Sequence, residues 1–151
     1  NWFWVLRDAK IIDAEYLEDN FTEEELSQAG IYTKNTHEVR TSSFACGSAT
    51  VKAYGSATVK ACGSATVKAC GSATVEAYGS ATVKAYGSAT VEAYGSATVE
   101  AYGSATVKAC GNSYVEDCTG NIRPESDYAI VKDYYNHKIY IKKGEFEIIE
   151  V

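Results

Sequence analysis

Gly47-Ser48-Ala49-Thr50-Val51-Lys52-Ala53-Tyr54 opens a run in which the unit Gly-Ser-Ala-Thr-Val-(Lys/Glu)-Ala-(Tyr/Cys) recurs eight times without a gap, as far as Cys110. A degenerate further copy, Gly111-Asn112-Ser113-Tyr114-Val115-Glu116-Asp117-Cys118, keeps the phase while fraying the pattern. Ala45-Cys46 is the tail of a partial earlier copy, so the array spans 47–118, about half of the 151 residues. Self-similarity at a fixed period decides the architecture before any single residue does.

Eight is even and strands alternate with period two, so each octad position keeps one face throughout the array. Gly47, Ala49, Val51 and Ala53 share one face, and Ser48, Thr50, Lys52 and Tyr54 the other. The Lys/Glu position must meet water, because an unpaired buried charge is costly. The small apolar face is therefore the interior. A helix would spread Val around its circumference and place Thr, Val and Gly against their propensities. The expected fold is all-β, a β-solenoid of octapeptide repeats.

One octad is too short to close a turn around a core, and Ala and Val are too small to fill a three-octad triangle. Two octads per coil are expected, giving about four and a half coils and a length of roughly 21 Å. The charged column agrees. At a spacing of two octads Lys60 lies beside Glu76, Lys84 beside Glu100 and Glu92 beside Lys108, whereas three octads would stack Lys60, Lys84 and Lys108. Gly at every eighth place suits a corner with positive φ or crowded backbones.

Both ends of a solenoid expose sheet edges and need covers. Residues 1–45 are expected to form a small α/β N-terminal cap, 46–120 the solenoid, and 121–151 a β-hairpin C-terminal cap. In the first, Trp2-Phe3-Trp4-Val5-Leu6 reads as an apolar strand. Thr22-Glu23-Glu24-Glu25 is a capping box, Phe21 and Leu26 are spaced for a hydrophobic staple, and Gly30 stops the helix. In the last, Tyr128–Val131 and Ile139–Ile141 flank a hairpin turn at Asp133–His137, and Lys143-Gly144 leads into a final strand, Phe146 to Val151. Both Trp and all four Phe lie in the flanks.

Composition narrows the classes of function. The net charge is −6; residues 1–45 carry four basic and nine acidic side chains, 46–120 five of each, and 121–151 five and six. No basic stripe exists to neutralise phosphates, which disfavours nucleic acid. There is no basic-then-apolar leader and no long apolar run, so neither secretion nor membrane insertion is expected from these residues. The absence of Met implies that residue 1 is not a natural start and that the chain has been trimmed or processed.

Tyr-Gly-Ser within an octapeptide β-repeat resembles the bacterial ice-nucleation proteins, whose repeats are read as two-octad coils. The likeness covers about half of the chain. It implies that the family's Thr-x-Thr row corresponds to Ser48-Ala49-Thr50 and its copies, and its tyrosine ladder to Tyr54, Tyr78, Tyr86, Tyr94 and Tyr102. The departures are a Lys or Glu two residues beyond each Thr, Cys in place of several Tyr, and a far shorter array. The octad followed by a hairpin is also similar to bacterial and phage repeat proteins of unassigned function.

No constellation of residues points to catalysis, a cofactor or a metal. Cys46, Cys62, Cys70, Cys110 and Cys118 are spaced by multiples of eight with no Cys-x-x-Cys, unlike a zinc site. Cys46 and Cys62 fall on neighbouring rungs at a separation a disulfide tolerates, about 4.8 Å; the simpler reading is reduced thiols standing in for Tyr. His37 and His137 lie in opposite flanks without a partner at motif spacing, and read as surface residues. The repeated serines lack a nucleophile elbow and a His in phase. Glycines spaced by eight make no phosphate loop.

The expected function is a non-enzymatic structural or interaction module that forms homo-oligomers through an outward stripe of Tyr54, Tyr78, Tyr86, Tyr94 and Tyr102 with the interleaved Cys. Outward tyrosines are favoured because exchanging Tyr for Cys would be poorly tolerated in a packed interior. A second reading is an ice or carbohydrate surface bound by the hydroxyl rows, Ser48/Thr50, Ser56/Thr58, Ser64/Thr66, Ser72/Thr74 and Ser80/Thr82, although the charged column interrupts that lattice. A third places an unrecognised activity in the flanking segments.

Overall fold

The computed structural model describes residues 13–142 and 144–147. The apolar stretch from Trp2 to Leu6 and the end of the final strand lie outside the described residues. Two short helices, α1 (Ala14–Asn20) and α2 (Glu23–Gln28), precede β1 (Ile31–Tyr32), β2 (Thr36–Val39) and β3 (Ser43–Ala45). The octads then supply β4 (Thr50–Ala53), β5 (Thr58–Ala61), β6 (Thr66–Ala69), β7 (Thr74–Ala77), β8 (Thr82–Ala85), β9 (Thr90–Ala93), β10 (Thr98–Ala101), β11 (Thr106–Ala109) and β12 (Tyr114–Asp117). The chain closes with β13 (Ile130–Asp133), β14 (Lys138–Ile141) and β15 (Gly144–Glu147).

Each octad thus spends Thr-Val-(Lys/Glu)-Ala on a strand and (Tyr/Cys)-Gly-Ser-Ala on a turn. Successive strands alternate between two sheets. The short sheet has six strands in the order β1-β3-β5-β7-β9-β11, and the long sheet nine, β15-β14-β13-β12-β10-β8-β6-β4-β2. Within the array the pairing is parallel and in register at two octads, so Thr66 stands on Thr50, Val67 on Val51 and Lys68 on Lys52. The protein is a β-solenoid with two octads per turn, as expected from the small core residues and the charged column.

The turns are part of the ladder. In Tyr86-Gly87-Ser88-Ala89 the Ala89 N–H donates to the Tyr86 carbonyl (3.3 Å), and Gly87 takes φ +64°. Positive φ at the second residue alone is the signature of a type II′ turn. The Ser88 N–H donates to Gly71 O one rung below (2.9 Å), and Gly87 O accepts from Ser104 N–H one rung above (2.9 Å). Backbone hydrogen bonds therefore run unbroken around the coil, leaving edges only at its two ends.

The interior is thin. Ala, Val and Ala of every octad point inward, and Val51, Val59, Val67, Val75, Val83, Val91, Val99, Val107 and Val115 are all buried. The inward Ala and Val of both sheets form one continuous buried cluster along the coil. Burying each contributes on the order of 1.5 kcal/mol or more.

The coil extends beyond the repeats on both sides. β1, β2 and β3 belong to the N-terminal flank and β13 to the C-terminal one, yet all join the parallel stack. It therefore runs to about six turns rather than the four and a half counted from octads. In the flanks the spacing drifts: Thr36 pairs with Thr50 and Ile31 with Phe44, shorter steps than the sixteen residues between Thr50 and Thr66.

The covers follow from local chemistry. Asp13 caps α1 by accepting from Tyr16 N–H (2.9 Å). Thr22 and Glu25 form the expected capping box on α2, with bonds of 3.2 and 2.9 Å, and Gly30 leaves the helix at φ +73°. Leu17 and Leu26 then bury against Ile31 and Cys46. At the other end Asp117 and Asp133 occupy the inward position held by Ala elsewhere, and both are fully buried. Asp117 accepts from Thr119 N–H, Thr119 Oγ1, Gly120 N–H and Ile122 N–H (2.7–3.1 Å), which winds residues 119–122 over the end of the core. Pro124, which has no N–H to offer, bridges to Ala109 on the last strand of the short sheet. The long sheet ends in the antiparallel hairpin β13–β14, extended by β15.

Candidate interaction surface

The eighth octad position lies just past each strand and faces outward, as expected from its parity. Because strands alternate between sheets, the residues there form two columns rather than one stripe. Along the short sheet run Cys46, Cys62, Tyr78, Tyr94 and Cys110; along the long sheet run Tyr54, Cys70, Tyr86, Tyr102, Cys118 and Tyr134. Tyr78 stacks on Tyr94 with centroids 5.1 Å apart and planes at 11°. Tyr86 stacks on Tyr102 at 5.2 Å and 7°. Arg40 lies over the Tyr54 ring at 5.4 Å.

The two columns differ in access. The helical cap rests on the first part of the short-sheet column, where Cys46 is buried and Cys62 and Tyr78 pack against the Leu17–Leu26–Ile31 cluster. Among the described residues the long-sheet column carries no such cover, and Tyr86 is 37 % exposed.

The charged position stands on the same outer face, two residues before the tyrosine. Tyr78 donates to Glu76 (2.9 Å), Tyr94 to Glu92 and Tyr102 to Glu100 (2.8 Å). These bonds fix the ring orientation and oppose phenolate formation beside a carboxylate. The bond to Glu100, with burial and the carboxylate charge adding to it, pushes the Tyr102 hydroxyl up to about 12, and Glu92 raises Tyr94 in the same way. Along the column, Lys60 pairs with Glu76 (3.6 Å), Lys84 with Glu100 (3.4 Å) and Lys52 with Glu38 (4.0 Å). Tyrosine, carboxylate and lysine thus form a continuous polar lattice around the stacked rings.

The Tyr–Glu pairing is not among the sequence expectations, although the sequence carries a trace of it. Each octad with Glu76, Glu92 or Glu100 ends in Tyr, and each with Cys62, Cys70 or Cys110 carries Lys.

The other singled-out residues are dispersed. Thr50, Thr58, Thr66, Thr74 and Thr82 open strands on the two outer faces, whereas Ser48, Ser56, Ser64, Ser72 and Ser80 sit in the turns. The hydroxyl rows therefore flank corners instead of tiling one plane, and each Thr column is bordered by charges. None of the five Cys is joined in a disulfide. Cys46 and Cys62 are rung neighbours, and their mutual hydrogen bond, with burial, holds the Cys46 thiol above its ordinary range. His37 is not a plain surface residue: it takes the inward place next to Val51, stacks on Tyr32 at 4.3 Å and closes the N-terminal end of the core. His137 sits in the β13–β14 turn at φ +55°. Among the described residues no group of three or more His, Cys, Asp and Glu could hold a metal ion, and no helix is long and apolar enough to cross a membrane.

Comparison with protein-family models, curated proteins and solved structures gives no match. What the chain offers for recognition is therefore its own surface: two aromatic stacks on a rigid wall, each framed by acids and lysines.

Proposed function

We propose that the protein is a non-enzymatic structural module, a rigid β-solenoid that associates with copies of itself through the outward Tyr/Cys columns. The stacked pairs Tyr78–Tyr94 and Tyr86–Tyr102, in which Glu76, Glu92 and Glu100 hold the hydroxyls of Tyr78, Tyr94 and Tyr102, carry this reading. Rings and backbone are already ordered in the single chain, so docking a second copy freezes few rotors while burying large aromatic area. Identical repeats multiply that surface without altering the core, and a self-complementary patch most commonly closes as a two-fold pair.

Sedimentation of the parent and of a variant with Tyr78, Tyr86, Tyr94 and Tyr102 all changed to Ser tests the proposal. The parent should sediment above monomer mass. The variant should keep the strand spectrum and move to monomer. A parent that stays monomeric at the highest soluble concentration, or a variant that associates as well as the parent, overturns it.

A further inference from the structure

The order of residues along the long-sheet face is not random. Its eighth-position column reads Tyr54, Cys70, Tyr86, Tyr102, Cys118, Tyr134, a palindrome centred between Tyr86 and Tyr102. Its charged column reads Lys52, Lys68, Lys84, Glu100, Glu116, Lys132, in which the four members nearest the same centre change sign across it. Lysines lie on one side of that centre, and the two acids follow directly on the other.

This segregation is unfavourable within one chain. Lys52, Lys68 and Lys84 stack at rung spacing, about 4.8 Å. Lys52 and Lys84 have Glu38 and Glu100 beside them, but Lys68 has no carboxylate within ion-pair range among the described residues. Glu116 receives only long bonds from Tyr114 and Tyr134, both 3.4 Å, while its rung neighbour Lys132 sits over the Tyr134 ring. One poorly compensated cation and one poorly compensated acid thus lie at mirrored distances from the centre.

From this we infer that the partner is a second copy of this chain, docked antiparallel on the long-sheet face about a two-fold axis that runs along the strands between β8 and β10. The arrangement rests on the self-association proposed above. A two-fold in that direction lays every column on itself with the rung order reversed. Tyr86 then meets Tyr102 of the second copy, Lys84 meets Glu100, Lys68 meets Glu116 and Cys70 meets Cys118, each contact occurring twice. Lys52 against Lys132 is the one like-charge meeting, and it falls toward the rim.

The alternatives fail on charge. A parallel docking of the same face sets Lys on Lys and Glu on Glu. The short-sheet face, with Lys60, Glu76, Glu92 and Lys108, opposes like charges under the antiparallel operation, and the helical cap covers the start of its tyrosine column.

The test is sedimentation at low salt of Lys68→Glu, Glu116→Lys, the double variant in one chain, and an equimolar mixture of the two single variants. Lys68→Glu relieves repulsion within the monomer, so its fold is retained. Each single variant turns two attractive contacts into repulsive ones and should weaken self-association about ten-fold or more. The double variant should recover the parent's association. The mixture should form heterodimers, because an acid then faces a lysine at both contacts between positions 68 and 116. A second readout uses chains that retain only Cys70 and Cys118. A short bis-maleimide should join these into covalent dimers, and chains keeping either thiol alone should not be joined. Single variants that associate like a dimeric parent, or a mixture that is not rescued, overturn the antiparallel arrangement and leave self-association standing. A monomeric parent overturns both.

Discussion

Gly55 and Gly87 occupy the same turn position with the same φ of +64°, yet they differ in what lies beneath them. A Cβ built on Gly55 meets nothing within 4 Å. One built on Gly87 meets Gly71 O at 3.2 Å, Gly71 N at 3.4 Å and Gly71 Cα at 3.6 Å. Replacing each by Ala separates two reasons for Gly at every eighth residue. Both variants suffer the strain of an L-residue at positive φ, about 1–3 kcal/mol. Gly87→Ala must in addition push its turn off the one below. That turn cannot yield freely, because Gly71 O is already the acceptor of Ser88 N–H at 2.9 Å and Gly87 O holds Ser104 N–H at the same distance. Overpacking of this kind costs a further 1–3 kcal/mol, roughly. Urea unfolding followed by the strand signal in circular dichroism reads the difference. With a slope of about 2 kcal/mol per molar, Gly87→Ala should unfold roughly 0.5–1.5 M earlier than Gly55→Ala, which itself should unfold before the parent. Equal midpoints for the two variants would refute the close stacking of turns. An unchanged Gly55→Ala would refute the positive-φ requirement.

Val83 has no exposed surface and stands in register between Val67 and Val99, so Val83→Asp leaves an unpaired carboxylate in a dry core and should cost more than about 4 kcal/mol, whereas Thr82→Asp on the outer face should melt near the parent. Asp117→Ala moves the ninth copy closer to the other octads, yet it strips the acceptor from three backbone N–H groups and a hydroxyl; calorimetry should show a loss of about 2–4 kcal/mol, and a neutral result would mean that residues 119–122 do not depend on that carboxylate. Ser113→Ala makes a similar move toward the repeat and should instead gain up to about 1 kcal/mol, since the Ser113 hydroxyl is buried without a partner. In ultraviolet titration Tyr102 should ionise near 12 and fall back toward 10 in Glu100→Ala. Its pKa is raised on folding, so the stability it contributes is whole below about pH 10 and is lost as pH climbs through about 12; a Glu100→Ala variant that titrates like the parent would discount the bond.

The solenoid is legible in the sequence because its period and the strand period are commensurate. Eight residues return every side chain to the same face, so one charged position, Lys52 and its copies, is enough to orient the remainder. The count of turns is less accessible, since the added rungs are built from residues without the repeat. Tyr32 and His37 take core places that the octads give to small side chains, and the step from Thr36 to Thr50 is two residues short of a full coil. Their membership depends on stacking against the array, a long-range effect no local pattern records. The C-terminal closure is similar: Asp117 looks like decay of the Ala that ends each strand, and only the loop folded around it reveals an acceptor. For the candidate surface, the outward tyrosines follow from parity, but which of the two columns lies under the helical cap follows from where α1 and α2 settle.

Variation along the array is confined to two positions, and both are outside. The inward Ala, Val and Ala, the turn Gly and the Thr that opens each strand do not change in the eight exact copies, while Lys/Glu and Tyr/Cys do. A coil whose only task was to be a coil would gain from alternating charges on every rung of both sheets. The short-sheet column sets two such pairs in register, Lys60–Glu76 and Glu92–Lys108, but the long sheet collects three lysines and then two acids. Pairing within a chain cannot account for that order, because it leaves Lys68 and Glu116 apart by three rungs. Reversal of the chain direction in a second copy brings those two together, and it does so at the register that sets Tyr86 on Tyr102. In the dimer proposed above, the charge column and the tyrosine column point to the same axis, and exposed charge order rather than core composition would be the part of the repeat that carries specificity.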